Sequence, residues 1–146
     1  MEIPASHHDL VNGPRVAALT TLMPDGSPQT SVVWCDFDGT HVRISCMSGF
    51  RKEKNMRLNP RVTLLCYDPR QPLRFLEIRG TVDEMTETGA LEHLDGLASL
   101  YLGRPARYFG DCIAAEWAAT ETPVLCRILP TRVLAPDWTG DSEPRR

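Results

Sequence analysis

No apolar run in the 146-residue chain approaches the roughly 20 residues that span a bilayer. Residues 1–14 lack the basic start and apolar stretch of a signal peptide, so a cytoplasmic protein with no membrane partner is expected. Neither sign of charge dominates: 16 Lys and Arg against 19 Asp and Glu leave −3. The acidic pI of about 5.8 argues against nucleic-acid binding. RNP-type aromatic motifs and zinc-finger spacing are missing too. The five cysteines (Cys35, Cys46, Cys66, Cys112 and Cys126) form no C-x-x-C. Four of them lie in apolar, strand-like segments and read as buried reduced thiols. There is no internal repeat, no low-complexity segment and no visible acid–base dyad. His7-His8 reads as a feature of a flexible N-terminal arm rather than a metal site, and His41 and His93 show no partner in sequence.

What is present suits one domain with a real core. Strands are predicted at 16–22, 29–37, 40–46, 61–67, 74–85 and 123–135. Turn signals separate the first three, Pro24-Asp25-Gly26-Ser27 and Asp38-Gly39, which predicts a three-strand meander. Gly80, inside a predicted strand, suggests a bulge or a close backbone approach. A helix is predicted over 86–102, with Leu91, Leu94, Leu97, Ala98 and Tyr101 on one face. Segment 103–121 is open, with a short helix near 113–119 as one reading, and the roles of Trp117 and Trp138 are open as well. Strands outnumber helices, and one helix follows the first three strands. The expectation is a mainly β fold: a small antiparallel barrel with peripheral helices over its openings.

The stretch SGFRKEKNMRLNPRV, 48–62, carries the chemistry. It reads as a short helix with Ser48 as N-cap, stopped after Asn59 by Pro60. Arg51, Lys52 and Lys54 crowd its first turns, where the helix dipole favours acidic groups by about 0.3–1 kcal/mol per charge. Residues 51–61 hold five cations against Glu53, a net +4, so the rest of the chain carries −7. A bound phosphate would resolve this local conflict, because free backbone N–H groups and basic side chains would converge on it. A solvated basic face with a Glu53–Arg57 pair is the plainer reading of the same residues.

Three segments together resemble the flavin/deazaflavin-binding split β-barrel family, which includes pyridoxamine 5′-phosphate oxidase and the coenzyme F420-dependent reductases. They are AALTTLMPDGSPQ at 17–29, Ser31-Val32-Val33-Trp34, and Arg51-Lys52 followed by Asn59-Pro60-Arg61-Val62. The resemblance covers residues 10–136. It implies an FMN-binding split barrel at 10–138, with an arm at 1–9 and a disordered tail at 139–146. It further implies a homodimer with cofactors in grooves at the subunit interface. On this resemblance Arg51 and Lys52 hold the cofactor phosphate, Lys52 above all. Ser31, Val33 and Trp34 contact the ring system or its side chain, Ile44, Ser45 and Cys46 line the other side, and Ser48 caps the helix or bonds the phosphate. Val33 and Ile44 read equally well as barrel core, and Trp34 as interface packing.

The oxidases of the family carry further basic residues on strand two, whereas 30–36 here has no Arg or Lys. That departure, with Lys54, Arg57 and Arg61 near the phosphate helix, makes the chain more similar to the F420-using branch. The implied activity is an oxidoreductase passing hydride from reduced F420 to an electron-poor double bond of a small molecule. An FMN flavoprotein of the same family is the alternative. A cofactor-free or haem-handling split barrel, and a non-redox small-molecule binder, stay open. Tyr101, Tyr108, His41 and solvent are all candidate proton sources, with none assigned.

Overall fold

The computed structural model describes residues 1–138; the expected tail at 139–146 lies outside the described residues. Seven strands form one antiparallel sheet: β1 (Ala17–Leu22), β2 (Pro28–Val33), β3 (Cys35–Phe37), β4 (Val42–Met47), β5 (Arg61–Asp68), β6 (Gln71–Thr86) and β7 (Pro123–Leu134). Their order across the sheet is β2-β1-β5-β6-β7-β4-β3. Three helices accompany them: α1 (His8–Asn12), α2 (Arg51–Leu58) and α3 (Ala90–Leu102). The sheet curls into a split barrel, mostly β with few helices, as the sequence predicts.

The predicted meander is not formed. The segment read as one strand over 29–37 breaks at Trp34. Its first half pairs with β1, Val33 opposite Ala17, and its second half with β4, Cys35 opposite Ile44. β2 and β3 are therefore the two outer strands of one sheet, yet consecutive in sequence. The curled sheet brings its edges together at Trp34. Inward alternation runs unbroken through the crossing, with Val33 and Cys35 both buried, which is why periodicity alone reads a single strand.

The barrel interior is filled by Leu19, Val42, Ile44, Leu64, Leu76, Ile78, Val124 and Ile128, all buried, together with Cys35, Cys46, Cys66 and Cys126 as free thiols. At Gly80 a Cβ would meet Ile128 Cγ2 at 2.7 Å and the Leu129 carbonyl oxygen at 2.8 Å. The close approach lets β6 bend where its register against β7 shifts, opposite Pro130. The lead-in is packed rather than loose. Leu10 and Val11 are fully buried, and buried His7 bonds the Pro136 carbonyl through Nε2 at 3.0 Å.

Helix α3 starts at Ala90, later than predicted, because β6 runs on to Thr86. Its buried stripe is Ala90, His93, Leu94, Leu97 and Ala98, and Leu91 faces outward. α3 lies against β7 and β4, on the outer face of that part of the sheet. Among the described residues no helix is long and apolar enough to cross a membrane.

Candidate functional site

A cavity of about 270 Å³ opens where the strand crossing, the end of β4, the start of α2 and helix α3 meet. Val33, Trp34, Leu94 and Leu97 give it apolar walls, Ser45 and Lys52 supply polar groups, and Tyr108 adds an aromatic ring. Trp34 is held in place from behind. It stacks on Tyr101 with ring centroids 4.9 Å apart at 16°, and meets Tyr108 edge-on at 6.3 Å.

The basic helix differs from expectation at its start. Ser48 does not cap it; Phe50 occupies the N-cap position and makes no side-chain cap bond. A turn, Phe50 N–H to Met47 O at 3.1 Å with Gly49 at φ +87°, turns the chain before the helix begins, and the exposed Ser48 bonds the Thr122 carbonyl through its backbone N–H. Glu53 takes over part of the capping. Its buried carboxylate accepts from Gly49 N–H at 3.2 Å and from Arg57 Nε at 2.6 Å. Glu53 is thus spent on Arg57. Among the described residues no carboxylate forms an ion pair with Arg51, Lys52 or Lys54; Arg51 reaches only the Asn55 amide oxygen at 3.4 Å. Three cations without counter-ions sit at the positive end of a helix dipole, and one of them, Lys52, lines the cavity.

Of the remaining predicted residues, Val33, Trp34, Ser45 and Cys46 share this cavity. Ile44 does not. Strand alternation turns it inward, opposite Cys35 and Cys126, where it is fully buried in the barrel core. Ser31 also lies off the cavity lining, and its Oγ is buried without a hydrogen-bond partner. Arg51, Lys54, Arg57 and Arg61 are not among the lining residues either; Arg61 sits on a separate groove with Arg79 and Thr131. The Cys46 thiol shares a hydrogen bond with Cys126 at 3.7 Å. That bond lowers its pKa against the opposing effect of burial, and the Lys52 charge acts in the same direction.

The three proton-source candidates separate. The Tyr101 hydroxyl is fully engaged: it donates to the Arg15 carbonyl at 2.5 Å and accepts from Cys35 N–H at 3.0 Å, and burial raises its pKa. His41 is bonded to Asp83 at 2.8 Å and is not among the cavity residues. Tyr108 lines the cavity, with its pKa raised by burial. Segment 103–121 forms an irregular turn at Tyr108–Cys112 and a 3-10 turn at Ala115–Ala119. The first is tied to α3 through Tyr108 N–H to Asp95 Oδ1 at 2.8 Å, which is what brings Tyr108 over the cavity. Trp117 is half exposed on the second, and Trp138 packs edge-on against Phe75.

One group was not legible in the sequence. His93, buried on α3, bonds Ser45 Oγ through Nδ1 at 2.8 Å and Asp36 Oδ1 through Nε2 at 3.1 Å. Asp36 and Arg43 are opposite one another on β3 and β4, and Ser45 is two residues further along β4, so all three project to one face. Arg43 grips Asp36 with two bonds, 2.9 and 2.7 Å. Burial alone would raise the Asp36 carboxyl, but the hydrogen bonds from His93 and Arg43 outweigh it and hold its pKa below the ordinary value.

Comparison with known proteins follows the same lines. The family model described as pyridoxamine 5′-phosphate oxidase matches residues 3–130. An F420 reductase structure superposes with a TM-score of 0.76 at 26% identity, over 90% of this chain and 98% of that one. A conserved hypothetical protein from Mycobacterium tuberculosis gives 0.69 at 24% identity, over 97% and 94%. A Listeria innocua protein provisionally described as a pyridoxamine 5′-phosphate oxidase gives 0.59 at 21%, over 83% and 87%. The last two likenesses bear on the fold alone. No curated protein is significantly similar in sequence.

Proposed function

The chain belongs to the pyridoxamine 5′-phosphate oxidase family, and within it we propose that this protein is a coenzyme F420-dependent reductase acting on an unsaturated small molecule. The observation that carries the reading is the set of cations at the head of α2, Arg51, Lys52 and Lys54, which have no counter-ion among the described residues and of which Lys52 lines an apolar cavity. A flat ring with an acidic tail suits that donor set: apolar and aromatic walls for the ring, and several cations for more than one negative group. The absence of any Arg or Lys from 30–36 and the 26% identity to an F420 reductase support the deazaflavin over FMN.

When bound, reduced F420 supplies a hydride, and that chemistry belongs to the cofactor. The chain's own residues do the rest. Lys52 and Arg51 neutralise the phosphate, and Lys54 stands ready for the tail. Trp34, Val33, Leu94 and Leu97 shield the ring from water. The Ser31 hydroxyl, on β2 and buried without a partner among the described residues, lies off the cavity lining and is a polar group that an ordered water can satisfy. FMN is the second reading, favoured by the family match over residues 3–130.

The functional unit in this reading is a homodimer. Val16 and Val32, 50% and 72% exposed, line the cavity. Val32 continues through Ala18 to exposed Leu65 across three paired strands. A second copy covering this apolar face would also complete the cavity. Spectrophotometric titration with F420, followed by assays of reduced F420 with enones and quinones, tests the proposal. No binding at micromolar concentration would remove it.

A further inference from the structure

We propose that Ser45 is the proton donor of this cavity and that His93, held by Asp36, is the residue that positions and charges it. This rests on the reductase reading above and adds the second half of its reaction. Reducing a carbon–carbon or carbon–oxygen double bond takes a hydride on one atom and a proton on the other. Reduced F420 accounts for the hydride only.

The geometry fixes the direction of the chain. Asp36 is an ionised carboxylate, held so by Arg43, and can only accept; His93 Nε2 therefore carries a hydrogen toward it. The free variable is Nδ1, 2.8 Å from Ser45 Oγ. With His93 neutral, Nδ1 accepts the Ser45 hydrogen, and the hydroxyl shows the cavity only lone pairs. With His93 protonated, Nδ1 donates to Oγ, and the Ser45 hydrogen is released toward the cavity. Transfer then breaks the Ser45 O–H bond as the substrate gains its proton, and breaks the His93 Nδ1–H bond as Oγ regains one. Neutral His93 is left behind, bonded to Asp36. The proton is restored by the reverse route from solvent once product has left the cavity.

The surroundings suit this role. Tyr101, the other hydroxyl behind Trp34, is consumed by backbone bonds, whereas Ser45 is one of the residues that line the cavity. Charged groups facing His93 come from each packed element. β3 gives Asp36 and β4 gives Arg43, already paired with each other. On β7, Arg127 lies beside Arg43 on the same face but is held by Glu84 at 3.0 Å and Asp38 at 3.4 Å. On α3 itself Glu92 is exposed and Asp95 accepts from Tyr108 N–H at 2.8 Å, and on the Tyr108–Cys112 turn packed against α3 Asp111 accepts from Arg107 N–H at 2.7 Å. The carboxylate in contact with the ring is Asp36, 3.1 Å from Nε2.

The test has two readouts. In cofactor-free protein labelled at histidine, nitrogen NMR should show His93 protonated at Nε2 when neutral, and its titration should shift in both Ser45→Ala and Asp36→Asn. In the loaded enzyme, at saturating F420 and substrate, Ser45→Ala should lower kcat about 100-fold and Ser45→Thr should restore it, a loss in the usual range for a general acid. Wild-type kcat should fall as pH rises through the His93 titration, and His93→Gln should be slow and flat with pH. A His93 titration indifferent to Ser45 and Asp36, or a Ser45→Ala enzyme with wild-type kcat and pH profile, would overturn the relay. Absence of F420 binding by the wild type would instead remove the reductase reading, and the NMR result would then judge the Ser45–His93 pair alone.

Discussion

Removing the two cations at the head of α2 should separate anchoring from packing. Arg51 is exposed and Lys52 half-buried, and neither is ion-paired among the described residues, so Arg51→Ala/Lys52→Ala removes no salt bridge there and leaves no orphaned carboxylate. The fold should be unaffected. Relief of cation–dipole repulsion should even raise stability slightly, by about 0.3–1 kcal/mol per charge. Binding should behave oppositely. A hydrogen bond to a charged group contributes about 1.5–3 kcal/mol. Loss of Lys52 alone should therefore weaken F420 roughly 10- to 150-fold, at about 1.4 kcal/mol per factor of ten. The double variant should lose roughly 100-fold or more, and should show a weaker salt dependence than wild type. Isothermal titration at low and physiological salt measures both. Arg70→Ala, an exposed cation on the β5–β6 turn, is the control that should leave affinity unchanged. A double variant that binds F420 within threefold of wild type would refute the anchoring role, as would an equal loss in the control.

Other substitutions test the remaining assignments. Ile44→Ala, in the core, should cost about 2–5 kcal/mol in chemical denaturation, while a cavity-contact role would predict a stable protein with weaker binding. Val32→Glu should convert a dimer to a monomer in light scattering and weaken cofactor binding; a dimer unaffected by it would place the interface elsewhere. The Asp36 carboxyl is held below its ordinary pKa in the folded chain, so its contribution to stability is present above the unfolded value and lost as pH falls through the folded one. The stability gap between wild type and Asp36→Asn should therefore be full at neutral pH and should close in acid; a gap that widens in acid would contradict the ion-pair account.

Local signals in the sequence carried most of the strands. The Asp25-Gly26 and Asp38-Gly39 turns form as predicted, with Asp25 and Asp38 side chains accepting from Ser27, Thr40 and His41 backbone N–H groups. The charge conflict in α2 was also legible, because it involves neighbours within one helix. Long-range relations were not. Alternation continues through Trp34, so nothing in the pattern says that its two sides join opposite edges of a sheet. His93 looked isolated because its partners are 48 and 57 residues away. The predicted stripe took Leu91, which is 48% exposed, where Ala90 and His93 are the buried positions. The signal that could have found His93 is the 3.6-residue spacing itself, which puts it on one face with Leu94, Leu97 and Ala98. Ser48 misled because a good capping residue was followed by Gly49, whose left-handed backbone moved the helix start beyond its reach.

The most direct test of the account is equilibrium binding of cofactor-free protein to F420 and to FMN, side by side in the same buffer. The account predicts micromolar or tighter binding to F420 and much weaker binding to FMN. Tight FMN binding with little affinity for F420 would contradict it and assign the chain to the flavin-using side of its family.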